Sequence, residues 1–235
     1  MDKKLDNHTL ILYGGGNNIF CIDNITFGSL KKDATIFFSP SAKESLESQE
    51  EYFDFFRKYV NKFGSFNVKK LDLTKEYFDR DIEFVERADM IYFGGGNSFL
   101  LNKLVENSKL SIFLKRQKKS MVLVGYSAGA VIMGQSILPV QFMDERIFDA
   151  PERGIGIIPW SIFPHYVAND KQIKFLLRCA KNNNISIAAI SNNCGLLCKG
   201  DKCRVVGKDF IEMFLPSGKI ERFIVGSIIS KSYGI

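Results

Sequence analysis

A serine between small residues, directly after an apolar run, is the strongest chemical signal in this sequence. Residues 121–125 predict a buried strand and residues 128–134 a helix, so Ser127 lies in a tight turn reading Gly-Tyr-Ser-Ala-Gly-Ala. Such a strand-to-helix turn holds a hydroxyl exposed as a nucleophile. The amide of Ala128, at the helix N-terminus, would point to where an oxyanion forms. The motif therefore predicts nucleophilic serine chemistry.

A nucleophilic serine needs a general base, and the sequence has only two histidines. His8 lies in a polar stretch ahead of the first predicted strand, where we expect it to be exposed. His165 follows the apolar run of residues 155–163 and is the remaining candidate for the base. Two histidines also exclude multi-histidine metal sites. Four acids between Ser127 and His165 are candidates to orient the imidazole: Asp144, Glu145, Asp149 and Glu152.

The elements that would position these residues alternate in the pattern of βαβ units. Predicted strands cover residues 10–13, 34–38, 67–71, 90–93, 121–125 and 185–190. Predicted helices cover residues 42–62 after an N-cap at Ser41, and residues 80–87, 98–119, 128–134 and 169–182. Shorter apolar pieces after residue 195 predict antiparallel strands that extend the sheet. The sequence therefore predicts an α/β sandwich around a mostly parallel sheet, as a single domain over residues 1–235.

Glycine turns end two of the predicted strands. Residues 14–17 and residues 94–97 both read Gly-Gly-Gly-Asn. Glycines let backbone amides approach a ligand, and open α/β sheets bind ligands at the carboxyl ends of their strands. Neither turn has the spacing of a dinucleotide-binding fingerprint. We therefore expect a ligand crevice at this edge of the sheet and no cofactor in it.

Composition narrows the function classes. The 235 residues carry a net charge of +6, but the densest basic run, residues 115–119, is typical of a solvated helix end. No apolar run reaches the length of about 18 residues that a membrane span needs. Five cysteines and no leader in the first residues favour reduced thiols and a cytoplasmic location. Cys194, Cys198 and Cys203 lack a nearby histidine to complete a zinc site. We expect neither nucleic acid nor membrane as a partner, and no metal.

Three ordered motifs together resemble the peptidase E family, serine peptidases related to cyanophycinase. The motifs are residues 93–99 (Phe-Gly-Gly-Gly-Asn-Ser-Phe), residues 125–130 and residues 163–166 (Phe-Pro-His-Tyr). They occur in the family's order and at similar spacing, and the resemblance covers nearly the whole chain. It implies a three-layer α/β sandwich of amidotransferase-like or flavodoxin-like type, with a mostly parallel central sheet and antiparallel C-terminal strands.

The resemblance also implies a Ser-His-acid triad. Ser127 would be the nucleophile and His165 the general base, while the amides of Gly95 and Ala128 would form the oxyanion hole. Asp144 is the closest match to the acid of peptidase E, and Glu145 stays open as the alternative.

The implied substrate is a dipeptide with an N-terminal aspartate, cleaved through an acyl-enzyme. A cation must then meet the substrate carboxylate, and the candidates are Arg146, Arg153, Arg178 and Arg204. Residues 191–195 (Ser-Asn-Asn-Cys-Gly) differ from the segment that many relatives carry there, which allows a different substrate pocket. Two alternatives stay open: a cyanophycinase-like hydrolase of β-aspartyl peptides, and a non-catalytic binding or sensor protein on the same fold. A homodimer is also left open.

Overall fold

The computed structural model describes residues 8–73, 82–108, 110–117, 119–147 and 149–234. The strands are β1 Thr9–Tyr13, β2 Thr35–Ser39, β3 Asn67–Lys70, β4 Met90–Phe93, β5 Val122–Tyr126, β6 Ser161–Tyr166, β7 Ile187–Ser191, β8 Cys194–Lys199, β9 Lys202–Gly207, β10 Phe210–Phe214, β11 Ile220–Ile224 and β12 Ile228–Ser230. The helices are α1 Phe20–Gly28, α2 Leu46–Val60, α3 Ser98–Asn107, α4 Leu110–Arg116, α5 Ala128–Ile132 and α6 Asp170–Asn183, with a 3-10 helix at Leu138–Phe142.

The strands form two sheets. The large sheet has the order β12-β9-β8-β1-β5-β4-β2-β3. Five neighbouring strands of this sheet run parallel to one another: β1, β5, β4, β2 and β3. Strands β8, β9 and β12 extend it in antiparallel pairing. The predicted mostly parallel sheet with antiparallel C-terminal strands is therefore confirmed. It differs from the prediction in one respect, because β10 and β11 join β6 and β7 in a separate four-stranded sheet.

Apolar side chains on both faces of the large sheet explain the layers. One face, which includes Tyr13 and Val124, packs against α1 and α2. The opposite face, which includes Leu12 and Leu123, packs against α3, α4, α5 and the small sheet. Helix α6 covers the outer face of the small sheet. Strand β5 is covered on both faces, as its purely apolar sequence predicts, and it holds residue 127 at the centre of the fold.

Three helices differ from the sequence prediction. Helix α1 was not predicted, because its buried face includes Asp23 and Thr26, which interrupt the apolar pattern. Helix α2 begins after Ser45, whose side chain accepts from the amide of Ser48, and not after Ser41, which is buried beside the hydroxyl of Ser39. The predicted helix over 98–119 is two helices, α3 and α4. The helix predicted over 80–87 lies partly outside the described residues, which are helical from 82 to 85.

Two predictions about single residue types are wrong. Cys198 and Cys203 form a disulfide, because the β8–β9 hairpin pairs them directly across the two strands. Cys21, Cys179 and Cys194 are free, as predicted. His8 is buried and not exposed, since the amide of Met121 donates to its Nδ1 at 3.3 Å. Within the described ranges, no helix is long and apolar enough to cross a membrane.

Candidate active site

Ser127 lies in the turn between β5 and α5. Its φ of 52° and ψ of −110° are strained for a residue with a side chain. The amide of Ser127 donates to the carbonyl of Tyr13 at 3.2 Å, which fixes the turn to the neighbouring strand β1. A Cβ at Gly129 would lie 2.2 Å from the carbonyl oxygen of Phe93, so only glycine fits there. The tight turn therefore holds the Ser127 side chain at the carboxyl end of β5.

His165 lies on β6 of the small sheet, and its side chain contacts Ser127. Ser127 Oγ and His165 Nε2 are 2.8 Å apart. The pairing of β6 with β7 shifts register between Phe163 and Tyr166, and His165 has a positive φ of 54° at this irregularity. The amide of His165 donates to the carbonyl of Gly14 at 2.7 Å, across to the large sheet. A β-bulge of this kind re-aims a side chain, and here it brings the imidazole to the serine.

The first glycine turn makes room for this imidazole. Gly15 has a φ of 100°, and a Cβ on it would lie 2.0 Å from Cε1 of His165. A Cβ on Gly16 would lie 2.5 Å from Oδ1 of Asn193. The turn after β1 was predicted to approach a ligand, and its glycines pack directly against the side chains of the site.

Asn192 supplies the group that faces the second nitrogen of the imidazole. Its Oδ1 lies 2.9 Å from His165 Nδ1. Asn192 follows β7 and is exposed, and the next residue, Asn193, has a positive φ of 60°. Its Oδ1 accepts the amide of Asn18 at 2.8 Å, so the turn after β7 is bound to the turn after β1. The side-chain amide of Asn192 therefore occupies the position beside the imidazole at which a carboxylate was expected.

Asp144 lies away from the imidazole. Its Oδ2 accepts the amide of Ser98 at 2.8 Å, at the N-terminus of α3. Asn97 caps the same helix by accepting the amides of Phe99 and Leu100. A carboxylate at a helix N-terminus is favourable there. The structure therefore brings Ser127 and His165 together but places Asp144 on a helix end.

The other candidate acids do not meet the imidazole either. Glu145 is exposed, and its carbonyl accepts from Nδ2 of Asn97 at 3.0 Å. Glu152 pairs with Arg146 at 2.6 Å, and Asp149 is exposed. None of these carboxylates has a hydrogen bond to the site in the described part of the chain.

The two amides expected to form the oxyanion hole belong to residues next to Ser127. Ala128 begins α5, and its amide belongs to the first turn of that helix. A Cβ on Gly95 would lie 3.4 Å from Cβ of Ser127, so Gly95 borders Ser127. The amide of Gly95 already has a partner, because it donates to the hydroxyl of Tyr52 at 3.1 Å.

A cavity of about 540 Å³ opens beside Ser127. It lies between α1, α2 and the two glycine turns, and its wall is rich in aromatic rings. The aromatic residues of the wall are Phe27, Tyr52, Phe55, Phe56, Tyr59, Tyr92 and Tyr126. Sites for small ligands have volumes of about 300–1,000 Å³. The cavity therefore has the size of a site for a short peptide.

Lys43 is the cationic residue that lines this cavity. Its ammonium lies 5.2 Å from the centre of the Tyr52 ring. The four arginines proposed from the sequence are elsewhere: Arg146 pairs with Glu152, Arg178 lines a different, smaller cavity, and Arg153 and Arg204 are exposed away from the described lining. The cation that faces the cavity is a lysine of the β2–α2 loop.

A buried carboxylate lies behind the aromatic wall. Asp23 accepts from the hydroxyls of Tyr13 at 2.9 Å and Tyr59 at 2.5 Å. Burial raises the pKa of Asp23, and the two hydrogen bonds oppose that shift. Burial also raises the pKa of Tyr52 to about 12. The tyrosines of the wall are therefore neutral hydroxyl donors at ordinary pH, and Tyr59 uses its proton within the protein.

Three residues of the site were missed by sequence reasoning. Asn192 lies in the segment of residues 191–195 that differs from relatives, but an asparagine carries no charge that would identify it as a partner of the imidazole. Lys43 and Tyr52 are ordinary residues of a loop and a helix face, and only the packing of α2 brings them to Ser127. No cluster of His, Cys, Asp and Glu among the described residues could hold a metal ion.

Known proteins are similar to this chain in sequence and in fold. A sequence model of peptidase family S51 matches residues 10–206. Peptidase E of Pasteurella multocida (strain Pm70) is 24% identical over 195 residues, which cover 77% of this chain and 80% of that protein. An uncharacterized peptidase of Listeria innocua is 30% identical over 148 residues, 60% of this chain and 68% of that protein. The crystal structure of a peptidase from an acI-B1 Actinobacterium aligns with a TM-score of 0.73 at 20% identity, covering 95% of this chain and 96% of that chain.

Proposed function

The chain belongs to peptidase family S51, and from this membership we propose that it is a serine exopeptidase that hydrolyses short peptides through an acyl-enzyme. One observation carries the proposal: Ser127 Oγ lies 2.8 Å from His165 Nε2. A serine hydroxyl is a weak nucleophile at neutral pH unless an adjacent base accepts its proton. The family membership supports peptide hydrolysis, and this pair supports serine as the nucleophile.

The proposed reaction has two halves. Ser127 Oγ attacks the scissile carbonyl carbon while His165 Nε2 accepts the hydroxyl proton, and negative charge develops on the carbonyl oxygen. The imidazolium then gives this proton to the departing amine as the C–N bond breaks, leaving an ester on Ser127. Water attacks the ester with His165 again as the base, which releases the acyl product. The amide of Ala128 donates to the oxyanion in both halves.

Asn192 takes the orienting role that the sequence suggested for Asp144. For Nε2 to accept the serine proton, the proton of the neutral imidazole must be on Nδ1, and Asn192 Oδ1 is 2.9 Å away to accept it. An amide oxygen fixes the tautomer and the ring without a charge, as in Cys-His-Asn peptidases. Because it stabilises the imidazolium less than a carboxylate does, we expect a slower enzyme than one with an aspartate at this position.

The proposed substrates are dipeptides with an N-terminal aspartate, and Lys43 is the proposed partner of their side-chain carboxylate. Lys43 lines the cavity beside Ser127. In the described part of the chain no carboxylate pairs with its ammonium, which lies over the Tyr52 ring. A lysine is a single point charge and binds a carboxylate less specifically than a bidentate arginine. We therefore expect a broader preference for acidic residues than an arginine would give.

A second candidate function is a non-catalytic binding protein on the same fold. The neutral Asn192 favours it, because an imidazole without a carboxylate partner is less able to carry the positive charge of the intermediate. Such a protein would bind the same peptides in the cavity without cleaving them.

The test is hydrolysis of a dipeptide panel by the wild type, Ser127→Ala and Lys43→Met. The panel contains α-aspartyl, β-aspartyl and neutral dipeptides. We expect cleavage of α-aspartyl dipeptides, none by Ser127→Ala, and a fall of about tenfold or more in aspartyl preference for Lys43→Met. Preferred cleavage of β-aspartyl dipeptides would indicate the cyanophycinase-like activity. Binding of the panel without cleavage by the wild type would indicate the binding protein.

A further inference from the structure

The Gly95 amide does not point into empty space. It donates to the Tyr52 hydroxyl at 3.1 Å. An oxyanion donor must lie about 2.7–3.1 Å from the oxygen that it stabilises, so the Tyr52 oxygen already occupies an acceptor position on this amide. Either Tyr52 leaves when substrate binds, or the amide acts through Tyr52.

The packing of the Tyr52 ring favours a fixed position. A Cβ on Gly94 would lie 2.6 Å from Cε1 of Tyr52, so the missing side chain at Gly94 is what admits the ring. The ring also packs edge-on against Phe38, with 5.1 Å between centroids. Lys43 lies over the ring, with its ammonium 5.2 Å from the ring centre. The close fit at Gly94 and the packing on Phe38 hold the ring in place, so the hydroxyl is preorganised.

The Tyr52 hydroxyl retains a proton to donate. Its oxygen accepts from Gly95, and no acceptor for its own proton occurs among the described residues. Two neighbouring tyrosines of the cavity differ in this respect, since Tyr59 donates to Asp23 and Tyr126 donates to the carbonyl of Gly16. Because burial raises the pKa of Tyr52 to about 12, the hydroxyl stays protonated at neutral pH.

We propose that the Tyr52 hydroxyl is the second donor of the oxyanion hole, standing between the Gly95 amide and the carbonyl oxygen that Ser127 attacks. This inference rests on the proposed serine mechanism. The Gly95 N–H polarises the Tyr52 hydroxyl, whose proton bonds to the developing oxyanion opposite the amide of Ala128. No proton is transferred in this contact. The role of Gly95, expected to be direct, becomes that of supporting Tyr52.

The experiment compares the wild type with Tyr52→Phe, which removes the hydroxyl and keeps the ring. The matched control is Tyr233→Phe, which removes a tyrosine hydroxyl that bonds to Glu221, and Tyr233 is not among the residues that line the cavity. Three quantities are measured: the second-order rate constant of Ser127 labelling by a fluorophosphonate probe, and kcat and KM for the best dipeptide. Thermal unfolding of each variant checks that the fold is retained.

We expect Tyr52→Phe to lower kcat by roughly 10²-fold with KM nearly unchanged, as for loss of one oxyanion donor. Labelling should slow at least about tenfold, because the phosphoryl oxygen uses the same donors. Tyr233→Phe should keep both the labelling rate and kcat near those of the wild type.

Equal or faster labelling and turnover in folded Tyr52→Phe would overturn the inference, because the freed Gly95 amide would then serve the oxyanion directly. That result leaves the proposed serine mechanism intact. Failure of the wild type to be labelled or to cleave any dipeptide would instead overturn the proposed function, and the oxyanion role of Tyr52 with it.

Discussion

Replacing Asn192 tests how the imidazole is oriented. Asn192 Oδ1 lies 2.9 Å from Nδ1 of His165, and Asn192 is exposed. A neutral hydrogen bond contributes about 0.5–1.5 kcal/mol net, and exposure means that no buried group is left unpaired when it is removed. At about 1.4 kcal/mol per factor of ten, Asn192→Ala should lower kcat/KM by roughly two- to twelvefold.

Asn192→Asp should act in the opposite direction. A hydrogen bond to a charged group contributes about 1.5–3 kcal/mol, roughly twice the neutral one, so the carboxylate should raise kcat/KM by up to about tenfold at alkaline pH. The carboxylate also stabilises the imidazolium. Because the imidazolium forms in both halves of the proposed reaction, this stabilisation adds to the expected gain in kcat/KM.

The assay is kcat/KM over about pH 5 to 9 for the three proteins, with the fluorophosphonate labelling rate as a substrate-independent check. The expected order is Asn192→Asp, then wild type, then Asn192→Ala. The matched comparison is Asp144→Ala, which removes the other candidate orienting residue. The reasoning is refuted if Asn192→Ala equals the wild type while folded Asp144→Ala loses about 10²-fold or more, because Asp144 would then orient His165 in the working enzyme.

Three further variants test the structure around the site. Asp144→Ala should lower the free energy of unfolding by about 1 kcal/mol, because the Ser98 amide loses its hydrogen-bond acceptor. Its kcat should stay within about threefold of the wild type. Urea unfolding measures the first effect and dipeptide turnover the second. Gly15→Ala should abolish labelling of the serine while the protein remains folded by circular dichroism, because its Cβ would lie 2.0 Å from the His165 ring; unchanged labelling would contradict the packing. His8→Phe should reduce the loss of stability on acidification. Burial lowers the pKa of His8 from 6.5, so the folded state resists protonation and stability falls as pH drops below that value; an identical pH dependence in His8→Phe, by urea unfolding, would contradict this.

Sequence patterns predicted the part of the fold that carries Ser127. Strands β1, β4 and β5 are short apolar runs that end in glycine or serine turns. These local patterns are sufficient to predict the strands, because they do not depend on distant partners. The Ser127–His165 pair was predicted because only two histidines exist. Helix α1 was missed because burial of Asp23 depends on the hydroxyls of Tyr13 and Tyr59, which lie on other elements, and no helical pattern reveals such partners.

The third partner of the site could not be predicted for a related reason. Asp144 lies in the expected stretch and has the expected chemistry, but its position is set by the amide of Ser98. Asn192 reaches His165 only because β6 and β7 pair in parallel, so that their carboxyl ends meet. A charged residue can be recognised in a sequence as a candidate partner of an imidazole. An uncharged side-chain amide can be recognised only from the strand pairing that brings it to the histidine.

Mass spectrometry of the protein after treatment with a fluorophosphonate probe tests the central claim most directly. The account predicts one adduct on the wild type, located on Ser127 by peptide mapping, and slow or no labelling in His165→Ala. Ser127→Ala should carry no adduct while it unfolds at a temperature similar to that of the wild type. A folded wild type that forms no adduct, or dipeptide hydrolysis that persists in Ser127→Ala, would contradict the assignment of Ser127 as the nucleophile activated by His165.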